Sequence, residues 1–221
     1  MTTETRPFFI VSSGRSGTAM MEKLFKAYPQ VEMHHEYMVH HVQPAAVKYY
    51  LGLIGFGEAQ HVLRATHAAA VHYSQSPIWG DSSNKLSWLI PVLDRLFPHA
   101  RFVHLVRDGR KVASSYFHKL SDECYDDYSV AVLQRYYDSH GQLPAPPPEK
   151  KYWWPVPPRG HPQEFEFITY NQFQRISFHW AQVNRTIIHH LEAIKPERRL
   201  TVRLEDLVSR AEARQGLLNF L

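Results

Sequence analysis

Short apolar runs alternate along this chain with longer stretches of helical periodicity. Phe8 to Val11 is an apolar run bounded by polar turn residues, which predicts a buried strand. Behind it, Thr18 to Tyr28 carries Met20, Met21, Leu24, Phe25 and Tyr28 at helical spacing, and Pro29 stops the helix. Val31 to Met33 predicts a second strand, Pro44 to Val71 one or two helices interrupted by glycines, and Ile78 to Gly80 a third strand followed by the polar turn DSSN. Leu86, Leu89, Ile90, Leu93, Leu96 and Phe97 predict an amphipathic helix that ends at Pro98. Arg101 to Val106 reads as a strand, Gly109 to Leu120 as a helix, Asn171 to Ile194 as a long helix, Leu200 to Leu204 as a strand, and the residues from Glu205 as a further helix.

Repeated strand–helix alternation implies an α/β fold of three layers, a mostly parallel central sheet flanked by helices. A length of 221 residues suits a single domain, 1–221, with room for an insertion. About 121–165 the rhythm breaks. The stretch LPAPPPEKKYWWPVPPRGHP is rich in proline and aromatics and predicts irregular backbone. Tryptophan and tyrosine need burial or a partner, so this insertion reads as a lid or an acceptor wall.

Composition narrows the class. A lone cysteine, Cys124, excludes a disulfide framework and suits a reducing compartment. The N-terminus lacks the shape of a signal peptide, and no apolar run approaches the ~20 residues that span a bilayer. The expectation is a cytoplasmic protein with no stable membrane insertion. A net charge of +4 without a dense Lys/Arg stripe points to an anionic ligand and away from nucleic acid. The fifteen histidines are scattered, and the adjacent pairs His34–His35 and His189–His190 point different ways, so no metal site is expected.

The candidate chemistry begins at VSSGRSGTAM, residues 11–20, where an apolar strand feeds a Gly/Ser turn and then a helix. Backbone N–H groups at a helix start have no intrahelical partners and face the positive end of the helix dipole, so this arrangement traps anions. Gly14 and Gly17 permit close approach, Ser13, Ser16 and Thr18 offer hydroxyls, and Arg15 adds a fixed charge. A triphosphate loop requires Gly-Lys-Thr/Ser, and here Gly17 precedes Thr18, which argues against a kinase. At RFVHLVRDGRKVASSYF, Arg107 ends a strand and Ser115 lies on the following helix, placed to converge on one phosphate at the ligand-binding edge of a parallel sheet.

Together the two segments resemble the sulfotransferase family. PFFIVSSGRSGTAMMEKLF is similar to its 5′-phosphosulfate loop, and RLFPHARFVHLVRDGRKVASSYFH to its 3′-phosphate segment, especially that of tyrosylprotein sulfotransferases. Trp180 to Asn184 and RLEDLV at 203–208 also fit the family pattern, and the resemblance covers most of the chain outside 121–165. It implies 3′-phosphoadenosine 5′-phosphosulfate as donor and 3′,5′-adenosine bisphosphate as product, with no metal. Ser13, Gly14, Arg15, Ser16, Gly17, Thr18 and Ala19 would cradle the 5′ side, with Arg15 and Thr18 nearest the bridging oxygen, while Arg107 and Ser115 would hold the 3′ phosphate. Family members take the acceptor's proton with a glutamate or a histidine after the second strand, which makes Glu36 the first candidate and His34 and His35 the next. In WGDSSNKLSWL, Ser83 and Asn84 would bond donor or acceptor oxygens and Lys85 would assist charge stabilisation.

Two departures stand out. Arg15 replaces the loop lysine of the cytosolic branch, and Leu204 replaces a common tyrosine. The implied acceptor is a small molecule, glycan, lipid or peptide bearing a hydroxyl or amine, and a homodimer is an open expectation. Against an active sulfotransferase stand a P-loop-type kinase and a non-catalytic nucleotide-binding module.

Overall fold

The computed structural model describes residues 5–221. Five strands form one sheet in the order β2-β3-β1-β4-β5, and every neighbouring pair is parallel. They are β1 (Arg6–Val11), β2 (Val31–His35), β3 (Ile78–Ser82), β4 (Arg101–Val106) and β5 (Arg199–Arg203). The helices are α1 (Thr18–Phe25), α2 (Val39–Tyr50), α3 (Phe56–Leu63), α4 (Ala69–Tyr73), α5 (Ile90–Leu96), α6 (Gly109–Lys119), α7 (Asp127–Asp138), α8 (Gln172–Glu192), α9 (Leu204–Ser209) and α10 (Ala211–Phe220).

Alternation along β1 decides what each face packs against. Phe8 and Ile10 join Met21 and Phe25 of α1 and Leu217 of α10, while Phe9 and Val11 join Leu63, Leu93 and Val183 from α3, α5 and α8. Helices therefore cover both faces, as the strand–helix alternation requires. Because all five strands run the same way, their carboxyl ends share one edge. Ser12, Glu36, Ser83, Arg107 and Leu204 each follow a strand and line that edge.

Four expectations are corrected. β2 and β3 run further than the apolar pattern predicted, through His35 and Ser82, because their last residues pair at the edge despite being polar. α1 ends at Phe25 and not at Tyr28. The single helix expected over Leu86–Phe97 is two pieces, a 3₁₀ turn over Lys85–Trp88 and then α5, since Pro91 has no N–H to continue the ladder and instead sits in the first turn of α5. Part of the supposedly irregular 121–165 segment is helix α7, whose Asp126 side chain caps the Ser129 N–H and whose Leu133, Tyr136 and Tyr137 are buried.

The rest of that segment packs. Trp153, Trp154 and Val156 are buried with Tyr116 of α6, Tyr125, and Phe178 of α8, in a third apolar cluster beyond the end of the sheet. Gln43 of α2 ties the segment down, its Nε2 donating to Lys150 O (3.2 Å) and Trp153 O (2.9 Å). Trp153 Nε1 donates to Pro147 O at 2.7 Å and Trp154 Nε1 to Glu123 O at 2.6 Å, so both indoles bury with their polar edge satisfied.

Candidate active site

The loop between β1 and α1 is wound by three positions of special geometry. Gly14 (φ 80°), Arg15 (φ 51°) and Gly17 (φ 97°) all occupy the left-handed region. Glycine is required at Gly14 for a second reason: a Cβ there would lie 1.9 Å from the Tyr116 hydroxyl. At Gly17 a Cβ would meet Leu204 at 2.7 Å, so this leucine packs directly on the loop. Gly17 caps α1 with its backbone alone. No side chain caps that helix and no acidic residue occupies its first turn, which leaves its N-terminal N–H groups and dipole facing the loop.

The loop is braced from beneath. Ser13 O accepts from Tyr116 Oη and His179 Nε2, both at 3.1 Å. Burial, reinforced by the charge of Lys85, pushes His179 down to about 3, so it stays neutral and serves as a strut. Asn84 Nδ2 donates to Tyr116 Oη at 3.4 Å. Ser16 is spent on the Gly14 carbonyl (3.0 Å), and Thr18 is buried, whereas Ala19 is exposed on the outer side of α1.

Arg107 and Ser115 come to the same loop from β4 and α6. Arg107 Nη1 donates to Arg15 O at 2.7 Å, and Arg15 Nε donates to Ser115 Oγ at 3.1 Å. The two sequence segments are thus one basic constellation, held by hydrogen bonds that cross 92 and 100 residues of chain. Trp180 pins it: its Nε1 donates to Arg107 O (3.3 Å), and its ring lies where a Cβ on Gly109 would be.

At the end of β2 the three candidate bases separate. His34 Nε2 pairs with Glu32 Oε1 at 2.8 Å, and its ring packs on Trp79 and Tyr37, away from the loop. His35 Nδ1 is 2.8 Å from Ser82 O and so carries the hydrogen that binds it there. Glu36 alone turns toward both Lys85 and Lys150, and its carboxylate pairs with the Lys150 ammonium. Burial raises the Glu36 pKa, but the two lysines outweigh it and hold the carboxyl below its usual range. Glu36 and Met38 are both non-glycine residues at positive φ (55° and 51°), strain of about 1–3 kcal/mol each. Asp81 helps to hold this turn: Oδ1 accepts from the Tyr37 N–H (3.2 Å) and Oδ2 pairs with the buried His67 (3.1 Å).

Lys85 is buried beneath Trp154, its ammonium 4.2 Å from the ring centroid. Burial lowers its pKa to about 8, against the raising effect of Glu36. Cys124 is also buried, and burial pushes its thiol well up, which removes it as a nucleophile. Among the described residues no group of three or more His, Cys, Asp and Glu is placed to hold a metal, and no helix is long and apolar enough to cross a membrane.

Sequence reasoning missed Lys150, Tyr116, His179 and the Asp81–His67 pair. The composition KKYWW signalled a functional wall, but nothing local says which lysine faces Glu36.

Comparison with known proteins identifies the fold and the family. No curated protein sequence matches the chain. Among solved structures, the sulfotransferase domain of the curacin biosynthetic pathway superposes with a TM-score of 0.54 at 15% identity, covering 98% of this chain and 73% of that one. The sulfotransferase domain of the Synechococcus PCC 7002 olefin synthase gives 0.53 at 16%, covering 99% and 74%. A sulfotransferase from Alicyclobacillus acidocaldarius gives 0.55 at 16%, covering 98% and 81%. Identities this low establish the fold alone. The sequence model of the sulfotransferase family, however, matches residues 7–145, which hold the loop, Glu36, Lys85, Arg107 and Ser115. The chain belongs to the sulfotransferase family.

Proposed function

We propose that the protein moves a sulfuryl group from 3′-phosphoadenosine 5′-phosphosulfate to an acceptor hydroxyl. The observation that carries this reading is the convergence of Arg107 and Ser115 on Arg15 of the β1–α1 loop. A donor with phosphates at both ends of its ribose needs two anion sites close together, and the cluster supplies guanidinium groups, a hydroxyl and an uncapped helix start. The loop 13–19 would hold the 5′ phosphosulfate, and Arg107 with Ser115 the 3′ phosphate. The donor supplies an activated sulfur whose leaving group is a phosphate.

The chain's own residues then have three tasks. Glu36 takes the acceptor's proton as it attacks, a role in which a positioned base gives roughly 10²–10⁴-fold. Lys85 and Arg15 would meet the negative charge that accumulates on the leaving oxygen, and a buried, fixed ammonium acts there without reorganisation. The buried aromatic cluster of Tyr125, Trp153 and Trp154 backs the site against water, and the partly buried Tyr152 at its margin is the ring open to an acceptor. In this reading the domain spans 1–221, with 121–165 forming the acceptor side. A kinase is disfavoured by the absent lysine before Thr18.

The test is transfer of radiolabelled sulfate from the donor to a panel of phenols, alcohols and amines. Glu36→Gln should lower turnover by about 10²–10⁴-fold while leaving bisphosphate binding intact. Equal turnover in Glu36→Gln, with His35→Ala or His34→Ala inactive, would move the base to a histidine.

A further inference from the structure

Glu36 faces two ammonium groups where catalysis calls for one. Lys85 is buried and fixed under Trp154, and in the proposed function it serves the leaving group. Lys150 comes from the 3₁₀ turn Lys150–Tyr152 on the solvent side, with 40% of its side chain exposed, and its ammonium sits on Glu36 Oε2. The Glu36 side chain is itself only 17% exposed, and Lys150 is the side chain that covers its Oε2. The Lys150 backbone is anchored through Gln43, so only the flexible side chain has to swing to uncover the carboxylate.

We propose that Lys150 is a specificity residue that keeps water from serving as the acceptor: it covers the Glu36 carboxylate until an acceptor hydroxyl displaces it. The inference rests on Glu36 being the base.

Two arguments support it. The first is basicity. Lys150, with Lys85 and His35, is one of the positive groups that hold the Glu36 carboxyl below its usual range, so removing it leaves a stronger base. The second is the energy of displacement. Swinging Lys150 away leaves the mostly buried Glu36 carboxylate without one of its partners, and a water offers it a single hydrogen bond in return. Water brings only that hydrogen bond. An acceptor also brings contacts with the aromatic wall around Tyr152 and Trp154, and this remote binding energy can be spent on moving Lys150.

The reaction suppressed is hydrolysis of the donor. The oxygen of a water molecule would bond to sulfur as the bond from sulfur to the bridging oxygen breaks. The electron pair would stay on the nucleotide's 5′ phosphate and the water's proton would pass to Glu36, giving sulfate and 3′,5′-adenosine bisphosphate.

The experiment compares Lys150→Met, Lys150→Arg and the double variant Lys150→Met/Glu36→Gln without any acceptor. Sulfate release from the donor should rise at least about tenfold in Lys150→Met, within the range a positioned base supplies. It should return to the wild-type rate or lower in the double variant and stay near wild type in Lys150→Arg. A second readout needs no donor. In protein carrying ¹³C-labelled glutamate, the Glu36 carboxyl should titrate at higher pH in Lys150→Met than in wild type. Calorimetry with 3′,5′-adenosine bisphosphate separates the two possible failures. If wild type does not bind it, the donor reading falls and this proposal falls with it. If binding is intact but Lys150→Met releases sulfate no faster, the Lys150 assignment alone is overturned.

Discussion

The two sides of the proposed site, donor and acceptor, are built in different ways. On the donor side, the β1–α1 loop is shaped by backbone: two glycines, a left-handed Arg15, and a helix start left without a side-chain cap. On the acceptor side, Glu36 is shaped by side chains from distant segments, with Lys85, Lys150 and the Asp81–His67 pair arriving from β3, the 3₁₀ turns and the π-helical turn before α4. The donor side thus encodes one fixed ligand shape. On the proposed acceptor side, Trp154 and Tyr125 pack on Tyr116 and His179, the braces of the loop, so changes to these two would reach the loop as well.

This difference can be broken at either side. The largest effect is expected at Gly14→Ala. A methyl there would need positive φ and would strike the Tyr116 hydroxyl, so the loop must deform. Bisphosphate binding should be lost, and thermal unfolding should report a destabilisation of about 1–3 kcal/mol. Unchanged binding would show that the loop backbone is not the anion site.

An intermediate effect concerns Lys85 and pH. With a pKa near 8, Lys85 is charged at neutral pH and neutral above that value in the free protein. Turnover should therefore fall as pH rises through about 8. Stability moves the opposite way. Between about 8 and the ordinary lysine pKa of 10.5, the unfolded chain holds a proton that the folded one has released, so this residue's contribution to stability rises with pH. At pH 9 an anionic ligand beside Lys85 should restore its charge, and calorimetry in buffers of different ionisation enthalpy should detect proton uptake on bisphosphate binding. Lys85→Met should abolish that uptake.

The smallest effect is a control away from both sides. Asn171 caps α8 by accepting from the Gln174 N–H at 3.0 Å, and Gln174 returns a bond to the Asn171 N–H. Asn171→Ala should cost about 1 kcal/mol in thermal unfolding and leave bisphosphate affinity unchanged.

The same contrast explains what the sequence made legible. Phe8 to Val11 and Arg101 to Val106 announce their strands because a parallel sheet buried on both faces needs continuous apolar runs. The loop and Arg107 were readable because each sits within a few positions of the strand that presents it, and Ser115 because it lies on the helix that follows that strand. The ends of β2 and β3 were not, since His34, His35, Asp81 and Ser82 are polar residues at the working edge of the sheet and break the apolar pattern. The Lys150–Glu36 pair spans 114 residues, and only the folded chain decides which of Lys150 and Lys151 reaches the cleft. Helix α7 was hidden because the composition of its proline-rich neighbour dominated the whole segment.

The central claim is that the β1–α1 loop and the end of β4 form one site for a 3′,5′-bisphosphorylated nucleotide. Calorimetric titration of the wild type and Arg107→Ala with 3′,5′-adenosine bisphosphate, with ATP and AMP as controls, tests it most directly. The account predicts that the bisphosphate binds wild type more tightly than either control, and that Arg107→Ala weakens it by about 10- to 100-fold, the loss of a charge-assisted contact. ATP binding as tightly as the bisphosphate, or an unaltered affinity in Arg107→Ala, would contradict it.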